Sequence, residues 1–541
     1  MRALLFSWLP MLAITASLLT AVRRLAHYFQ LESYQFHGYR KTLLRQKKQV
    51  ALDALFLAGL YLGIFGLYAL ICAGGNPSPW AALGAAALYP PAGWLIRRRG
   101  LGKAEKKKFA PTARVKRLYG ALTAALLGLL WAAQALLGNP AERAGAFIGA
   151  AAWAFPLLLP ALLAPAALLA LPVEKLIFFL YFHDAERKLL QNDRLIRIGI
   201  TGSYGKTSVK FILAQILSQK YNVLATPASF NTPMGVTRII RQRLTPSHQV
   251  FIGEMGARHV GEIKELCRLV HPQIGLLTAV GPQHLDTFKT LERIRDTKYE
   301  LVDALPPDGL AVFQDDGAIV TALYEKTEKD KLLTGSAQGD AWAEHVGVSP
   351  AGSHFSLCLK GWEPIPCETR LLGAHNIKNI VMAAAVAKRL GLSREQIARG
   401  VASLKPVEHR LQLLQSAGGV TVIDDAFNTN PRSSRAALDV LGSFAGRRII
   451  VTPGMVELGA EEEKYNYEFG RYMAGRADVA LLIGRKHTAS IARGLADAGF
   501  PPESVHTLDS LEEAVRFNRE NLRQGDVVLY ENDLPDHYSE G

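Results

Sequence analysis

Long apolar runs separated by short polar segments dominate the first third of the chain. Each run approaches or exceeds the roughly 20 residues that a helix needs to cross the hydrocarbon core of a bilayer. The third run is the shortest, and prolines interrupt the fifth, where a kinked or partly re-entrant helix is expected. The five runs are Leu4–Val22, Ala51–Ala73, Trp80–Ile96, Leu118–Leu137 and Ala144–Leu171. We therefore predict an α-helical membrane domain of about five helices over residues 1–172.

Basic residues lie mainly in two of the four loops between these runs. The loop after the first run holds 7 Lys or Arg and the loop after the third holds 10, whereas the other two loops share one, Arg143. By the positive-inside rule the basic loops are cytoplasmic. Five spans then place the N-terminus outside a bacterial cytoplasmic membrane and everything after Leu171 in the cytoplasm. A cleaved signal peptide is the alternative, but four more runs follow the first.

Net charge separates the chain into two parts. Residues 1–171 hold 19 Lys and Arg against 4 Asp and Glu, so of the total charge of +14 about −1 belongs to residues 172–541. The later part therefore lacks the basic balance of a nucleic-acid-binding protein, and no nucleic acid is expected as a partner. The cysteines Cys72, Cys267, Cys358 and Cys367 have no metal-ligand spacing, and we interpret the last two as packing residues.

After residue 172 the pattern changes to alternating helices and strands. Val173–Leu190 has an apolar first half and a charged second half, which is typical of a helix leaving a membrane surface. The apolar run Leu195–Ile200 predicts a strand, and apolar spacing from Ser208 onward predicts a helix. A tight turn lies between them, formed by Gly202, Ser203, Tyr204, Gly205, Lys206 and Thr207.

This strand–turn–helix unit has the features of a nucleotide-phosphate site. The glycine-rich turn leaves backbone N–H groups pointing outward, and the helix N-terminus adds positive potential. We expect Lys206 to reach the β- and γ-phosphates and the Thr207 hydroxyl to bind Mg²⁺. The usual eight-residue pattern has Gly five positions before Gly205, where this chain has Ile200. An incidental glycine turn is the alternative, which the strand–turn–helix setting disfavours.

Polar residues follow two later strands. Gln249–Gly253 predicts a strand with Glu254 at its carboxyl end, and Ile274–Val280 predicts another that is followed by His284. In open α/β sheets ligands bind at the carboxyl ends of strands. A lone Glu or His there is usually just solvated, but two of them downstream of a phosphate loop favour a metal site on the nucleotide.

Lys298 stands out on the predicted helix Leu291–Leu305. It lies four residues after Ile294 and three before Leu301, on the apolar stripe of that helix. An unpaired lysine is disfavoured on a buried face, so snorkelling to the surface is one interpretation. The other is an amine whose pKa is lowered by burial and that takes up CO₂, which gives an anionic carbamate able to bind a metal.

The last part of the chain predicts a second α/β unit. Short apolar strands alternate with helical stretches, which indicates a Rossmann-like fold. Asp424, Asp425, Asn428 and Asn430 follow its first strand, where a plain Asx-rich turn is the alternative to a site. Arg410 follows a linker at Pro406, where a hinge between two lobes is plausible. The predicted strands are Val420–Ile423, Arg448–Thr452, Val479–Ile483 and Val527–Tyr530.

The set of motifs resembles the Mur ligase family. GITGSYGKTS, FNTPMGV, GEMGA, GPQHLDTF, DTKYEL and GAHNIKN occur in the order found in that family. EHRL, IDDAFNTNP and PGMVELG look most like the members that add D-alanyl-D-alanine to a cell-wall precursor. The resemblance covers roughly Leu195 to Val528 and implies a P-loop ATP-binding central domain over 173–405 and a Rossmann-like C-terminal domain over 406–541.

The resemblance also implies roles for individual residues. An ATP-dependent ligase of this kind forms an acyl phosphate from a muropeptide carboxylate, releases ADP, and then joins the carbonyl to an amino acid or dipeptide amine. Lys206, His284 and Lys298 would be catalytic, and Thr207, Glu254, His284 and carbamylated Lys298 would hold Mg²⁺. ATP would contact Gly202, Ser203, Gly205, Lys206, Thr207, Ser208, Asn376, Asn379, Arg410 and Asp425.

Two departures from the family leave alternatives open. Membrane spans replace the soluble domain that grips the uridine-diphosphate end of the substrate, and the chain ends in YENDLPDHY where a Lys-Gly-Ser-Arg-like stretch is expected. The alternatives are a membrane-bound poly-γ-glutamate-type ligase, a ligase acting on a lipid-linked precursor, and an inactive nucleotide-sensing membrane scaffold. The intact phosphate loop with Glu254, His284 and Lys298 argues against the scaffold. Membrane lipid is expected as a partner, and the sequence does not indicate an oligomeric state.

Overall fold

The computed structural model describes residues 2–32, 34–73, 79–99, 109–137, 140–415, 418–427 and 429–533. The chain separates into two compact units that divide between Phe178 and Phe179. The first unit is helical, and the second contains two β-sheets, each with its own helices.

Helices account for the described part of the first unit. All five apolar runs are helical, and the core contains Ile14, Leu18, Tyr61, Leu122 and Leu163, all nearly inaccessible to solvent. The helices are α1 (Arg2–Ala21), α2 (Arg23–Leu31), α3 (Phe36–Arg45), α4 (Lys47–Cys72), α5 (Pro79–Arg99), α6 (Ala113–Leu137) and α7 (Pro140–Leu190).

Fewer than five helices reach the length and apolarity of a membrane span. Within the described residues, three stretches qualify, Lys47–Cys72, Ala113–Ala132 and Phe155–Leu190. Trp8–Ala21 and Arg23–Leu31, bent by 44°, make a fourth if they are counted as one broken span. The third predicted run, in α5, falls short because its prolines, glycines, tryptophans and tyrosine lower its mean hydropathy.

The fifth apolar run and the helix expected after it form one element. The helix α7 runs from Pro140 to Leu190 and includes Pro156, Pro160, Pro165 and Pro172. Proline removes a backbone donor, but apolar helices tolerate it where neighbouring groups compensate. The predicted boundary between a membrane helix and a separate helix over 173–190 is therefore absent.

A nine-stranded sheet organises the first part of the second unit. The strand order is β2–β3–β1–β4–β5–β6–β7–β8–β9, parallel as far as β7 and antiparallel for the last two pairs. The strands are β1 (Ile196–Thr201), β2 (Val223–Ala225), β3 (Val250–Glu254), β4 (Ile274–Leu277), β5 (Leu310–Gln314), β6 (Lys331–Thr334), β7 (Ala341–Ser349), β8 (Gly352–Leu359) and β9 (Ile365–Thr369). Because β1 lies between β3 and β4, the turn after β1 is flanked by the ends of both.

Helices cover this sheet and bury its apolar strands. Val209, Ile212, Leu213 and Ile216 of α8 pack in the main core, which also takes in the alanine-rich α14. Cys358 and Cys367 are buried, as their interpretation as packing residues requires. The helices are α8 (Lys206–Leu217), α9 (Pro233–Arg243), α10 (Glu262–Val270), α11 (Leu285–Phe288), α12 (Leu291–Asp303), α13 (Ala318–Lys326), α14 (Ala374–Arg389) and α15 (Arg394–Ala402).

The second sheet has six strands in the order β10–β11–β15–β12–β13–β14. All strand pairs are parallel except β10 with β11, which is antiparallel. This is the arrangement of a Rossmann-like unit with an added antiparallel strand at one edge. The four predicted strands are present, and β10 and β14 were not predicted. The elements are β10 (Gln412–Gln415), β11 (Thr421–Asp425), α16 (Pro431–Gly442), β12 (Arg448–Thr452), α17 (Glu462–Met473), β13 (Val479–Ile483), α18 (Arg485–Asp497), β14 (Val505–Leu508), α19 (Leu511–Asn521) and β15 (Val527–Glu531).

Candidate active site

The turn between β1 and α8 requires glycine at two positions. Gly202 has φ +147°, and a Cβ there would come within 2.1 Å of Thr278 Oγ1. Gly205 has φ +77° and is the N-cap of α8, where a Cβ would come within 3.2 Å of Asn379 Oδ1. A residue with a side chain would be strained at both positions. The turn therefore keeps its backbone open at the start of α8, as a phosphate site needs.

Lys206 is folded back over this turn. Its Nζ donates to the carbonyl oxygens of Gly202 at 2.6 Å and Ser203 at 3.3 Å. Burial lowers the pKa of Lys206 to about 8, against the opposing charge of Glu254. Ser203 itself bonds to the loop after β4, since its hydroxyl donates to the Gly281 carbonyl at 2.9 Å. The turn is thus anchored to the strand that precedes His284.

Thr207 and Glu254 lie within hydrogen-bond distance of each other beside the turn. Thr207 Oγ1 lies 3.2 Å from Glu254 Oε1, which also accepts from the Asn231 amide at 3.0 Å. The other carboxylate oxygen accepts from Lys210 Nζ at 2.9 Å, and the side chains of Lys210 and Glu254 are 0% and 1% exposed. Burial alone would raise the pKa of Glu254, but the charges of Lys210 and Lys206 outweigh burial and lower it. Glu254 is therefore an ionised carboxylate, with hard oxygen atoms of the kind that Mg²⁺ prefers.

Lys298 is buried, which rules out the snorkelling interpretation. It is 2% exposed on α12 between Ile294 and Leu301, both also buried. Burial, together with the nearby charge of Lys206, lowers its pKa to about 7. The amine is thus an uncharged nucleophile in a substantial fraction of molecules at neutral pH.

His284 connects the two lobes of the second unit. It stands at the N-cap of α11 with φ +52°, and its Nδ1 lies 2.5 Å from Glu457 Oε2 in the loop after β12. Arg258 Nη2 lies 3.4 Å from the other Glu457 oxygen. Burial lowers the pKa of His284, and the charge of Lys298 lowers it further. The hydrogen bond and the charge of Glu457 act in the opposite direction and raise it. The histidine thus lies within electrostatic reach of Lys298.

Arg410 reaches the phosphate turn from the C-terminal lobe. Its guanidinium stacks on the ring of Phe427 with 4.7 Å to the centroid, and Nη2 donates to Thr207 Oγ1 at 3.4 Å. Burial raises the pKa of Asp425 to about 6, although the charge of Arg410 opposes this. Asp425 also accepts from the backbone N–H of Leu411 at 3.2 Å. The two predicted residues of this lobe are therefore close to each other, and Arg410 contacts the turn.

The remaining predicted site residues lie within helices, at a helix cap or in a turn. Asn379 Nδ2 donates to Asn376 Oδ1 at 3.3 Å on α14, and Asn376 in turn donates to the Leu372 carbonyl at 2.9 Å. Ser208 is half-buried on the first turn of α8. Asn430 caps α16, and Asp424 accepts from the Ala426 N–H, so both act as Asx turn residues. Asn428 lies outside the described residues.

Oxygen donors at the turn fit Mg²⁺. A hydroxyl and an ionised carboxylate from Thr207 and Glu254 stand together beside a phosphate cradle, and Mg²⁺ is commonly held by one or two such groups plus substrate phosphates. Among the described residues, no cluster of three or more His, Cys, Asp or Glu side chains has metal-binding spacing. A second ion at His284 and Lys298 therefore needs an anionic ligand that unmodified lysine does not supply.

Three important neighbours were not singled out from the sequence. Lys210 and Asn231 hold the Glu254 carboxylate, and Glu457 binds His284. Lys210 follows Lys206 by one helical turn, so its position on α8 is a usable signal. Asn231 and Glu457 lie in the quoted motifs FNTPMGV and PGMVELG, but their partners are distant in the chain.

Comparison with known sequences decides the family. Residues 200–387 match the Mur ligase middle domain, and residues 409–530 match the Mur ligase glutamate ligase domain. The UDP-N-acetylmuramoyl-tripeptide–D-alanyl-D-alanine ligase of Mycobacterium tuberculosis (strain ATCC 25618 / H37Rv) is 36% identical over 358 residues, 61% of this chain and 69% of the relative. The chain belongs to the Mur ligase family. The ligase of the same name from Bacillus subtilis (strain 168) is 30% identical over 339 residues, 62% of this chain and 72% of the relative.

Solved structures agree with this Mur ligase assignment. MurF from Acinetobacter baumannii superposes with a TM-score of 0.60 at 26% identity, covering 66% of this chain and 77% of that one. MurF from Thermotoga maritima in complex with ADP has the same fold, with a TM-score of 0.60 at 24% identity over 67% of this chain and 82% of that one. The resemblance inferred from the motifs is confirmed. This Mur ligase is an ATP-dependent enzyme that forms an amide bond and ADP.

Proposed function

We propose that this Mur ligase adds D-alanyl-D-alanine, or a similar amine, to the free carboxylate of a muropeptide cell-wall precursor at the membrane. The observation that carries the proposal is that the C-terminal lobe contacts the phosphate turn and the loop of His284 in the central lobe. Arg410 of the C-terminal lobe donates to Thr207 of the phosphate turn, and Glu457 of the same lobe binds His284. The relatives named above support D-alanyl-D-alanine as the amine, because that dipeptide stands in their names.

The phosphate turn binds the β- and γ-phosphates of ATP. Backbone N–H groups at the start of α8 and the Lys206 ammonium would face the phosphates, and Thr207 and Glu254 would hold Mg²⁺. Mg²⁺ would neutralise charge on the γ-phosphate. Arg410 adds a fixed positive charge from the opposite lobe, since a guanidinium stays protonated at any pH the enzyme meets.

Lys298 works as a carbamate. Its neutral amine adds to CO₂ and loses a proton, which leaves a buried group with two oxygens and one negative charge. That group and His284 would hold a second Mg²⁺, which would stabilise negative charge that develops during phosphoryl transfer. Glu457, which binds His284 Nδ1, would leave Nε2 as the ligand atom.

The reaction has two chemical steps. The muropeptide carboxylate attacks the γ-phosphorus in line, the bond to the β-γ bridging oxygen breaks, and ADP leaves behind an acyl phosphate. The neutral amine then attacks the acyl carbon, inorganic phosphate leaves, and the amine loses a proton as the amide forms. Closure of the lobes through Arg410 and Glu457 excludes water, which would otherwise hydrolyse the acyl phosphate.

The adenosine end of ATP lies between the lobes in this proposal. Asn376 and Asn379 on α14 face adenine or ribose from the central lobe, and Asp425 approaches from the C-terminal lobe. The closeness of Asn379 Oδ1 to Gly205 supports this, because it puts an amide beside the phosphate turn.

The first unit is a multi-pass anchor in the bacterial cytoplasmic membrane. The domain boundaries 1–172, 173–405 and 406–541 follow, with the N-terminus outside and the ligase lobes in the cytoplasm. The five helical runs and the two basic loops support this placement, which requires all five runs to cross the membrane. A reporter enzyme fused before Met1 checks it, since activity confined to the cytoplasm would contradict an outside N-terminus.

One experiment tests the reaction and the acceptor together. Purified full-length protein is given ATP, Mg²⁺, D-alanyl-D-alanine and either a uridine-linked or a lipid-linked muropeptide tripeptide, with ADP release followed and products weighed by mass spectrometry. We expect ADP release only with acceptor and amine both present, and a product heavier by the dipeptide minus water. ADP release that needs no acceptor, or ADP release with acceptor but no product heavier by the dipeptide minus water, would contradict the proposal.

A further inference from the structure

A cleft in the first unit carries positive charge that the ligase reaction does not use. It lies where α1 and α2 meet the end of α5. Its lining combines three guanidinium groups with apolar side chains and one imidazole, from Ala21, Arg23, Arg24, His27, Ile96, Arg97 and Phe109.

Only one of the three guanidinium groups is matched by a carboxylate in the described residues. Arg24 pairs with Asp53, which is also held by the amide of Gln49. Arg23 instead stacks on the ring of Phe109, with 5.2 Å to the centroid, and no carboxylate is paired with Arg23 or Arg97 there. Two positive charges therefore face one small cleft, which favours an anion with oxygens for two guanidinium groups.

The walls of the cleft are held in place by packing and hydrogen bonds. The backbones of α1 and α5 touch where Gly93 meets Ser17, because a Cβ on Gly93 would come within 2.2 Å of the Ser17 carbonyl oxygen. One helical turn further along, Ala21 and Arg97 line the cleft. The segment after Phe109 is clamped to α2 by two bonds between the Gln30 amide and the backbone of residue 110, at 2.9 and 3.3 Å.

We propose that this cleft binds the phosphate of an anionic membrane lipid head group. The inference rests on the proposed membrane placement of the first unit, in which Arg23 and Arg97 lie at the cytoplasmic ends of apolar helices. Basic pockets between membrane helices on the cytoplasmic side are suited to phosphate head groups. Ile96 and Phe109 add apolar surface beside the charges, which suits a phosphate attached to a lipid better than a free ion. The membrane domain would then recognise a phospholipid or a phosphate-linked lipid substrate.

The test compares two pairs of arginines on full-length protein. Arg23→Gln with Arg97→Gln removes the two unmatched charges of the cleft. Arg98→Gln with Arg99→Gln is the matched control, since these residues lie on the same helix end but stack on Trp94 and Phe56 outside the cleft. Binding of phosphatidic acid, of diacylglycerol with the same acyl chains and of inorganic pyrophosphate is measured by native mass spectrometry of detergent-solubilised protein.

We expect the wild type to bind phosphatidic acid at least tenfold more tightly than diacylglycerol. The Arg23/Arg97 variant should lose at least tenfold in that affinity, and the Arg98/Arg99 variant less than twofold. Equal losses in both variants would overturn the proposal, because they would indicate general attraction between basic residues and anionic lipid. Full displacement of the lipid by equimolar pyrophosphate would overturn it too, because the site would then bind a soluble anion.

Two parallel measurements separate this inference from the proposed function. Resistance of the protein to extraction by alkaline carbonate reports membrane insertion, and ADP release with acceptor and amine reports ligation. Extraction without detergent would refute the membrane placement itself. Insertion and ligation without any difference between the two arginine pairs would refute the lipid site alone.

Discussion

Replacing Lys298 tests the carbamate in the proposed function. An ordinary lysine with a pKa of 10.5 is neutral in about one molecule in 3,000 at pH 7. Burial and the charge of Lys206 lower the pKa of Lys298 to about 7, so that about half of the molecules carry a neutral amine. The fraction able to add CO₂ is thereby raised by roughly a thousandfold. The fold around α12 therefore supplies the amine in the form that reacts.

Ligation should depend on this group, whereas ATP binding should not. We expect Lys298→Ala to lower the rate of acceptor-dependent ADP release by roughly 100-fold, since a metal ligand is lost. The affinity for ATP, measured by calorimetry, should stay within a few-fold because the phosphate turn is untouched. Short carboxylic acids such as acetate should restore part of the rate by placing an oxygen ligand in the gap. Wild-type activity should fall when CO₂ and bicarbonate are stripped from the buffer, and fall further as pH drops below 7.

Lys298→Met separates function from stability. The folded pKa lies below the unfolded one, so above about pH 7 the unfolded chain binds more protons and stability rises with pH up to about 10.5. The wild type in CO₂-free buffer is therefore destabilised below pH 7 by roughly 5 kcal/mol, taking 1.36 kcal/mol per pKa unit. Methionine fills the same space without the charge. This variant should melt at a higher temperature than the wild type at pH 6 and still be inactive.

Two results would refute the reasoning. If Lys298→Ala keeps most of the ligase rate, no carbamate is needed. If Lys298→Met melts below the wild type at pH 6 and the gap between them does not widen at pH 10, burial does not depress the pKa of the amine.

Three further substitutions test the remaining parts of the site. Lys206→Ala should lower ATP turnover by roughly 100-fold or more, since the γ-phosphate loses its mobile cation, and near-normal turnover would refute a catalytic turn. Lys210→Ala leaves the buried Glu254 without its ion-pair partner, so the free energy of unfolding measured in denaturant melts should drop by roughly 3–5 kcal/mol. Adding Glu254→Gln should recover part of that loss. An unchanged unfolding midpoint would show that the ion pair does not stabilise the fold. Glu457→Gln weakens the hydrogen bond to His284 that joins the two lobes, so kcat should fall while the ATP affinity stays nearly unchanged. An unchanged kcat would show that this bond does not assist closure of the lobes.

Local patterns in the sequence were sufficient for much of this protein. The strand, turn and helix around Gly205 follow from residues that are adjacent in the chain, and apolar spacing over a few turns placed Lys298 on a buried face. The apolar runs predicted the helices of the first unit in the same way. Such features depend on backbone preferences and on the period of a helix or strand, which any short window of sequence contains.

Contacts between distant segments were decided by the tertiary structure alone. The order of strands puts β1 between β3 and β4, and only that order brings Glu254 beneath Thr207, where Lys210 neutralises it. The bond between His284 and Glu457 joins residues 173 positions apart. No periodicity encodes these pairs, because each depends on which strands pair and how two lobes dock. The sequence by itself determined the glycine turn, the apolar stripe that includes Lys298 and the apolar helices. The order of the strands and the docking of the two lobes decided which side chains share one site.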